Sequence, residues 1–568
     1  MPTHLWPADV EFQQLVLSPP SDCLLCLGPT RICDHRHRNI QVLGGPLHLV
    51  CRLGQCLDPD CEMHHRTFSP EAEMAIAPPR LIIGWEVFAW IGQRRLAKDW
   101  RVGQIRDELH ENHLVHLSED SIERYISKYQ TMLAAHAQDP RVLAETYRTS
   151  PGVVLSIDGL QPEKGHETLY VVRELTSKRI WFAVPLLSSA APEVARLLIQ
   201  AKDWAQRLDK PVLAWVSDKQ DAFVTGIAAT FPGVPHRYCA NHFLRDAAKP
   251  MLELDCHAKV QMRRKVRGLR EIERVTLTSL QEQQTPSAVQ VSIAPTESMA
   301  PPAMPGAAQE TAVNDNLVLD YCAAVRGILN DDQGGPIRPP GVRMADALKD
   351  VRGSLTRILG EARPGLEHDS LKRLAACIDR GLGHAEADLA MVRTHASHIA
   401  TIDAYLDPAN GTAQARKAGF DILANRLLQD EDPIRAHMGK VMTSFAPGLF
   451  AGGDTPGLPL DNLDLERAFK HPKRHQRRIH GRAHAGVRIV QIGPTLLLAL
   501  DAHLRHPQLF KAEELIPYRL AQPPPSQCEA LHRRIIMRKA RSSKQRPVLL
   551  ASLEARYVHA GTTVPAGC

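Results

Sequence analysis

The spacing of apolar and polar positions divides the chain into segments with different predicted structures. In residues 78–135 apolar side chains recur at helical spacing with a short break at LVHLS, which predicts helices that include a helix-turn-helix from about Val102 to Tyr129. Ser118 is the predicted N-cap of the second helix, and Glu119 and Asp120 suit its positive end. Residues 152–240 instead alternate β-branched runs with helical stretches, which predicts three strands, a helix and another strand of an α/β core.

The segments after this core are predicted to be helical, with one interruption. Residues 240–445 carry helical periodicity, except that 275–312 are rich in Pro, Ala, Ser, Thr and Gln and read as a disordered stretch. No run of about 18 or more apolar residues appears, and the N-terminus lacks a basic region followed by an apolar one. We therefore expect neither a membrane span nor a signal peptide, and a cytoplasmic location.

Cysteine is concentrated near the N-terminus, where half of the 12 cysteines fall between residues 23 and 61. Thiols of a cytoplasmic protein are expected to be reduced, so this crowding indicates metal binding. Two pairs at metal-ligand spacing can form a tetrahedral Zn²⁺ site: Cys23 with Cys26, and Cys56 with Cys61. Four other residues compete as ligands: Cys33, Cys51, His64 and His65. We predict that four of these groups bind Zn²⁺ and thereby order residues 20–70.

Two aspartates end predicted strands of the α/β core, Asp158 after VVLSI and Asp218 after VLAWVS. Carboxylates at adjacent strand ends repel each other unless a cation neutralises them, and such hard oxygen ligands suit Mg²⁺ or Mn²⁺. Glu466 is the candidate third acid, because Asn462 can cap a helix that carries it in the first turn. Three such acids would support in-line phosphoryl transfer by two metal ions. On spacing alone, however, aspartates at strand ends are ordinary features of an α/β protein.

The string DNLDLERAFKHPKRHQRRIHGR is more specific, and it resembles the region around the third acid of DDE-type transposases of bacterial insertion sequences. In that family an Asn-containing turn precedes an L-E-R motif, a Phe and a basic stretch. The matching positions are Asn462, Leu465, Glu466, Arg467, Phe469, Lys473, Arg474, His475, Arg477, Arg478, Ile479, Gly481 and Arg482. The blocks around Asp158 and Asp218 also resemble the first-acid and second-acid blocks of the family. The resemblance implies a ribonuclease-H-like core in which Asp158, Asp218 and Glu466 bind two Mg²⁺ ions.

Two positions depart from the family pattern, and one further element resembles it. Leu463 stands where relatives commonly have a second Asn, and Pro472 falls within the basic stretch, so the helix there should bend or end near Lys470. Cys239 and His242 resemble a C-x-x-H element of some transposase lineages with helical insertions, and they are candidate metal ligands. The alternative is a buried thiol beside a histidine at the start of a helix.

Pattern and resemblance together predict six segments along the chain. These are a zinc-ribbon-like head (1–75), a helical helix-turn-helix domain (78–148), the first part of the ribonuclease-H-like core (150–242), a helical insertion with the disordered stretch (243–455), the second part of the core with the third acid and a basic helix (456–505), and a C-terminal tail (506–568).

The distribution of positive charge indicates where DNA would bind. The net charge of +6 is modest, but cations concentrate in residues 259–270 and 470–484, where they either neutralise phosphates or form solvated helix faces. The second helix of the helix-turn-helix would bring Ser121, Glu123, Arg124 and Lys128 to the major groove. The basic helix would hold the backbone through Lys473, Arg474, Arg477, Arg478 and Arg482.

The predicted function is therefore a nucleoid-associated DNA transposase that acts on element ends and target DNA as a homo-oligomer, with no membrane partner. Two alternatives stay open. The chain could be a decayed or domesticated relative that only binds DNA, or a ribonuclease-H-like nuclease that cuts DNA without strand transfer.

Overall fold

The chain is a mixed α/β protein that divides into two compact units. The computed structural model describes residues 12–161, 166–266, 268–284, 317–361, 366–481 and 486–562. The first unit combines Met1–Cys239 with Thr455–Cys568, and the second is Ala240–Asp454. The predicted insertion, residues 243–455, has nearly the same bounds as this second unit.

The first unit begins with a three-stranded sheet. Its strands are β1 (Gln13–Leu17), β2 (Thr30–Val42) and β3 (Gly45–Cys56), in the order β1-β3-β2. A two-residue turn joins β2 and β3 as an antiparallel hairpin, while β1 runs parallel to β3, and helix α1 (Glu71–Ile76) follows. The buried apolar side chains beneath the sheet are few, namely Ile40, Leu49, Cys51 and Ala77. So small a core contributes little stability by itself.

Four helices follow the head: α2 (Trp85–Leu96), α3 (Val102–His113), α4 (Glu119–Ala137) and α5 (Pro140–Tyr147). The predicted cap of α4 is confirmed, because Ser118 Oγ accepts a hydrogen bond from the Ser121 amide across 3.3 Å. Leu114 adopts a left-handed conformation (φ 54°) that ends α3 and turns the chain toward α4. Phe88 and Tyr129 are buried where α2 and α4 pack together.

A five-stranded sheet forms the centre of the first unit. Its elements are β4 (Val153–Leu160), β5 (Thr168–Glu174), β6 (Arg179–Leu186), α6 (Ala191–Arg207), β7 (Val212–Ser217), α7 (Asp221–Thr230) and β8 (His236–Tyr238). The strand order is β6-β5-β4-β7-β8, with β4, β5 and β6 antiparallel and β4, β7 and β8 parallel. Because β4 and β7 are parallel neighbours with Ile157 opposite Ser217, β7 ends beside the carboxyl half of β4, an edge where α/β sheets commonly bind ligands.

The described part of the second unit is entirely helical. Its helices are α8 (Ala240–Ala247), α9 (Lys249–Lys265), α10 (Leu269–Gln284), α11 (Leu317–Leu329), α12 (Pro340–Gly360), α13 (Leu366–Ala404), α14 (Ala413–Leu428) and α15 (Pro433–Leu449). Residues 275–284 belong to α10, so the predicted disorder is wrong for them. Ile272 and Thr276 are both buried, which shows that the packed face of α10 continues into the predicted linker. The rest of that stretch, 285–312, lies outside the described residues.

Two cations of the first basic cluster, residues 259–270, form ion pairs inside the second unit. Lys259 Nζ lies 2.6 Å from Asp332 Oδ1, and Arg263 Nη2 lies 2.9 Å from the same oxygen. Arg263 Nε also donates to the carbonyl of Leu329. Lys259 is buried, so this pair holds α9 against the end of α11 rather than offering a free cation to DNA.

The C-terminal part of the first unit adds α16 (Leu463–Ala468), α17 (Lys470–His480), α18 (Gly486–Arg505), α19 (Ala512–Leu515), α20 (Pro525–Arg541) and α21 (Arg546–Thr562). α18 packs on α4, β5 and β6, opposite the sheet face that α6 and α7 cover. Among the described helices, α18 alone is long and apolar enough to cross a membrane, and 72% of its most apolar stretch is buried inside the protein. We interpret it as a core helix. The segment 506–568 contains packed helices, since the Gln527 side chain on α20 accepts a hydrogen bond from the Thr495 amide on α18.

Candidate functional site

Four cysteines of the head converge at one end of the β2-β3 hairpin. Cys23 and Cys26 lie in the loop before β2, whereas Cys56 ends β3 and Cys61 caps a short 3-10 helix. Thr30 pairs with Cys56, so the hairpin register places the two loops side by side. The four sulfur atoms all lie within 4.8 Å of one another. These cysteines are therefore close enough to bind one metal ion.

The spacing of these sulfur atoms fits tetrahedral coordination. Cys23 Sγ lies 3.8 Å from Cys61 Sγ, and Cys26 Sγ lies 3.5 Å from Cys56 Sγ. A Zn–S bond of about 2.3 Å in tetrahedral geometry separates its sulfurs by about 3.8 Å. Backbone amides point at the sulfurs as well, with Gly28 N–H donating to Cys26 Sγ and Met63 N–H to Cys61 Sγ, each across 3.4 Å.

The backbone also favours a negative charge on one of these sulfurs. The amides of Cys26 and Leu25 lower the pKa of the Cys23 thiol to about 7, which makes a thiolate accessible near neutral pH. Burial raises the pKa of Cys56 to about 12. A cation at the centre of the cluster would favour the thiolate form of both.

The competing ligands of the head lie elsewhere or are otherwise engaged. Cys51 is buried in the small core beneath the sheet, and the Cys33 thiol is exposed and donates to the Leu53 carbonyl. The Nδ1 atom of His64 is hydrogen-bonded to the carbonyl of Cys56. Neither these residues nor His65 belongs to the four-sulfur cluster. The register of the hairpin, which the sequence does not show, determines which four of the candidate ligands come together.

Asp218 follows the end of β7 as predicted, whereas Asp158 does not end its strand, because β4 continues to Leu160 through its pairing with β5. β4 and β7 are parallel, with Ile157 opposite Ser217, and Asp158 and Asp218 each follow directly. Asp158 and Asp218 are both half-buried residues, and Oδ1 of Asp218 is fully buried. Below them the Ser217 hydroxyl is hydrogen-bonded to His236, and burial lowers the pKa of His236 to about 4, so this imidazole is neutral at physiological pH. It adds no positive charge that would compete with a cation.

Three contacts hold α16 at the same sheet. Arg237 on β8 is buried and donates to the Leu458 carbonyl across 3.1 Å. The Cys239 thiol, just after β8, donates to Asn462 Oδ1 across 3.0 Å. Arg173 on β5 donates to the carbonyl of Asp464 across 2.6 Å. These anchors bring the third-acid helix to strands that precede it by more than 200 residues in the sequence.

Helix α16 begins differently from the prediction. Asn462 occupies the N-cap position, but its side chain makes no capping bond, because its oxygen is taken by Cys239. Asp461 supplies the turn instead, with Oδ1 accepting from the Leu463 amide across 3.0 Å. Asn462 thus links two parts of the core, a role that its position in the sequence did not indicate.

Glu466 lies on α16, half-buried, with a carboxylate oxygen within 4.8 Å of Cys239 Sγ. Since the amide of Cys239 donates to the Ser217 carbonyl, which immediately precedes Asp218, the chain around the second acid approaches that around the third. His242 lies in the first turn of α8, where the second unit begins. Among the described residues, Asp158, Asp218 and Glu466 are not a group whose carboxylate oxygens all lie within 4.8 Å of one another.

The basic helix α17 starts after an interruption at Phe469, so the alternative in which the helix ends near Lys470 is correct. Pro472 falls in the first turn of α17, where its missing amide costs no intrahelical hydrogen bond. Arg474 and Arg477 are exposed and Lys473 is half-buried. Arg478 is exposed but engaged, because its Nη1 lies 3.1 Å from Asp99 Oδ2. Arg482 lies outside the described residues.

The residues of α4 that were predicted to contact DNA differ in their exposure to solvent. Arg124 is exposed and donates to the Ser121 hydroxyl across 3.0 Å, so both remain near the surface. Lys128 is half-buried, and its ammonium donates to the carbonyl of Arg519 across 3.0 Å. That bond directs Lys128 toward the C-terminal segment of the first unit.

No protein-family model matches this chain, and no curated protein is significantly similar to it.

Proposed function

We propose that this protein is a DDE-type transposase with a ribonuclease-H-like core that cleaves and joins DNA with Mg²⁺. The observation that carries the proposal is the parallel pairing of β4 with β7, in which Ile157 lies opposite Ser217, so that the residues before Asp158 and Asp218 are neighbours. Helix α16, which carries Glu466, is tied to the end of β8 through the Cys239–Asn462 hydrogen bond. The order β6-β5-β4-β7-β8, with the first acid on the central strand, supports the ribonuclease-H-like assignment.

Each part of the site has a role in such a reaction. Asp158, Asp218 and Glu466 would hold the divalent ions, which supply activation of the attacking oxygen and stabilisation of the leaving oxygen. Cys239 and Asn462 are positioning residues, because their hydrogen bond ties α16 to β8. Cations of α17 would neutralise phosphates of the bound strand.

We further propose that the head is a zinc module that helps the protein bind element ends. The four-cysteine cluster supports Zn²⁺, because thiolates are soft ligands and the sulfur spacing fits a tetrahedron. Helices α3 and α4 follow the head after α2, and α4 presents Ser121 and Arg124 near the surface. Base contacts there would provide specificity while phosphate contacts provide affinity.

Neutral isosteres of the three acids test the function. Asp158→Asn, Asp218→Asn and Glu466→Gln should each lower Mg²⁺-dependent cleavage of DNA by at least 100-fold (about 3 kcal/mol), while filter binding of the same DNA stays near wild type. Asp221→Asn is the matched control, because Asp221 is exposed three residues after Asp218. Near wild-type cleavage by any of the three variants would remove that residue from the site.

The wild-type reaction distinguishes the alternative functions. Cleavage followed by joining of the cut end to a second duplex supports a transposase. Cleavage without joining supports a nuclease, and binding without cleavage in Mg²⁺ or Mn²⁺ supports a protein that only binds DNA.

A further inference from the structure

A cavity of about 400 Å³ lies in the first unit between α16, the start of α17, α18 and the strands β5 and β6. Small-molecule sites commonly have volumes of about 300–1,000 Å³. Four cations line this cavity, namely Arg173, Arg467, Lys470 and Arg474. The resemblance already assigns Arg474 to the DNA backbone, but it assigns no ligand to the cavity itself.

The positive charge of the cavity is not neutralised by the carboxylates that line it. Two carboxylates, Asp464 and Asp501, also reach it, but each has a cation of its own. Asp464 lies 3.3 Å from Lys178 Nζ, and Asp501 lies 3.0 Å from Arg505 Nε.

Three of the lining cations have no such partner. Across the part of the chain that the structure describes, no carboxylate forms an ion pair with Arg467, Lys470 or Arg474. Burial lowers the pKa of the neighbouring His471, chiefly through desolvation, so it is neutral at physiological pH and can hydrogen-bond without adding charge. The cavity is therefore a concave surface with an excess of positive charge, which suits an external anion.

The opposite wall is apolar. Leu497 and Leu500 on α18 are buried, while Leu504 is 64% exposed at the rim. Guanidinium groups bind phosphate through paired hydrogen bonds, and an aliphatic wall accepts a flat apolar group. Inorganic phosphate would use only one of the two walls, whereas a nucleotide would use both.

We propose that this cavity binds one nucleotide unit, with its phosphate on Arg467, Lys470 and Arg474 and its base against Leu497, Leu500 and Leu504. A free nucleotide and a nucleotide within a single strand share this chemistry. Arg467 directly follows Glu466, so a strand at the proposed catalytic acids would have a neighbouring nucleotide within reach of the cavity. Only this last step depends on the proposed function.

Binding to the full-length protein without divalent ions tests the cavity separately from catalysis. Titration calorimetry would compare deoxyadenosine monophosphate, deoxyadenosine, inorganic phosphate and a short single-stranded oligonucleotide. We expect the nucleotide to bind at least ten-fold more tightly than either the nucleoside or phosphate. Arg474→Ala should weaken both the nucleotide and phosphate, and Leu504→Ala should weaken the nucleotide but not phosphate.

Arg488→Ala is the control, because Arg488 is exposed on α18 and does not line the cavity. Thermal unfolding checks that each variant is folded, which is expected since Arg474 and Leu504 are exposed. If only the oligonucleotide binds and Arg474→Ala weakens it, the nucleotide comes from a strand. The proposal is overturned if phosphate and nucleotide bind equally, if nothing binds, or if Arg474→Ala changes neither ligand.

Discussion

The Cys239 thiol donates a hydrogen bond to Asn462 Oδ1 across 3.0 Å, although the two residues are 223 positions apart in the chain. Both side chains are fully buried, and the Asn462 amide also points at the Cys239 sulfur across 3.5 Å. This pair fixes the start of α16, and hence the position of Glu466, relative to β8 and the end of β7.

Cys239→Ala should lower the free energy of unfolding by about 1–3 kcal/mol, because it leaves the buried Asn462 oxygen without its donor. It should also slow single-turnover cleavage with little change in DNA affinity, because Glu466 loses its fixed position. Cys239→Ser keeps a donor and should restore most of both properties. Urea unfolding and cleavage of labelled DNA measure the two effects. Full stability and activity of the alanine variant would show that the hydrogen bond is dispensable.

The head should contain about one zinc ion per chain, since folding of so small a unit is coupled to metal binding. Cys23→Ser or Cys56→Ser should release the ion and unfold residues 20–70, as measured by metal analysis and amide hydrogen exchange. Cys33→Ser is the control, because Cys33 is an exposed cysteine outside the cluster. A metal-free protein with a protected head would refute the zinc module.

Arg477→Ala should weaken specific and non-specific DNA to a similar extent and flatten the slope of log affinity against log salt by about one. Arg478→Ala should change the slope less, because Arg478 already faces Asp99 and its replacement removes a protein contact as well. Fluorescence anisotropy across a salt series measures both slopes. If Arg477→Ala kept its slope but lost preference for the element end, α17 would be reading bases.

The unfolding free energy should fall as the pH drops below about 6.5, because buried His503 resists protonation. Burial lowers its pKa to about 4, so the unfolded chain binds the proton more tightly than the folded one. Stability present above pH 6.5 is lost toward pH 4, by roughly 3 kcal/mol for a shift of this size.

His503→Gln should flatten this pH dependence, with His236 retaining part of it because burial also lowers its pKa to about 4. Tyr129→Phe is the control, since it removes the hydroxyl bonded to His503 but leaves the imidazole in place. Chemical unfolding at a series of pH values measures the free energy of unfolding of each variant. If its dependence on pH is the same in His503→Gln as in the wild type, groups other than His503 cause the effect.

Several features could be predicted from sequence because local rules determine them. Ser118 caps α4 through a hydrogen bond to a residue three positions away, and Pro472 lies in the first turn of α17, where a proline is tolerated. The alternation of β-branched runs likewise gave the strands that contain Asp158 and precede Asp218. The prediction from composition failed at 275–284. The residues there are typical of a linker, yet the buried face of α10 continues into this segment.

By itself the sequence determined which residue types could hold metal, where the strands and helices of residues 152–240 lie, and that Asp218 follows a strand. It did not predict the three strands of the head, and β4 extends beyond Asp158 to Leu160. Only the tertiary structure decided which groups meet. The register of the β2-β3 hairpin places Cys56, and not Cys51, in the four-cysteine cluster. The parallel pairing of β4 with β7 makes the chain segments before the two aspartates neighbours. The packing also places Asp99 beside Arg478. The physical reason is that local preferences act over a few residues, whereas these pairings depend on contacts between segments far apart in the chain, whose closure no short pattern encodes.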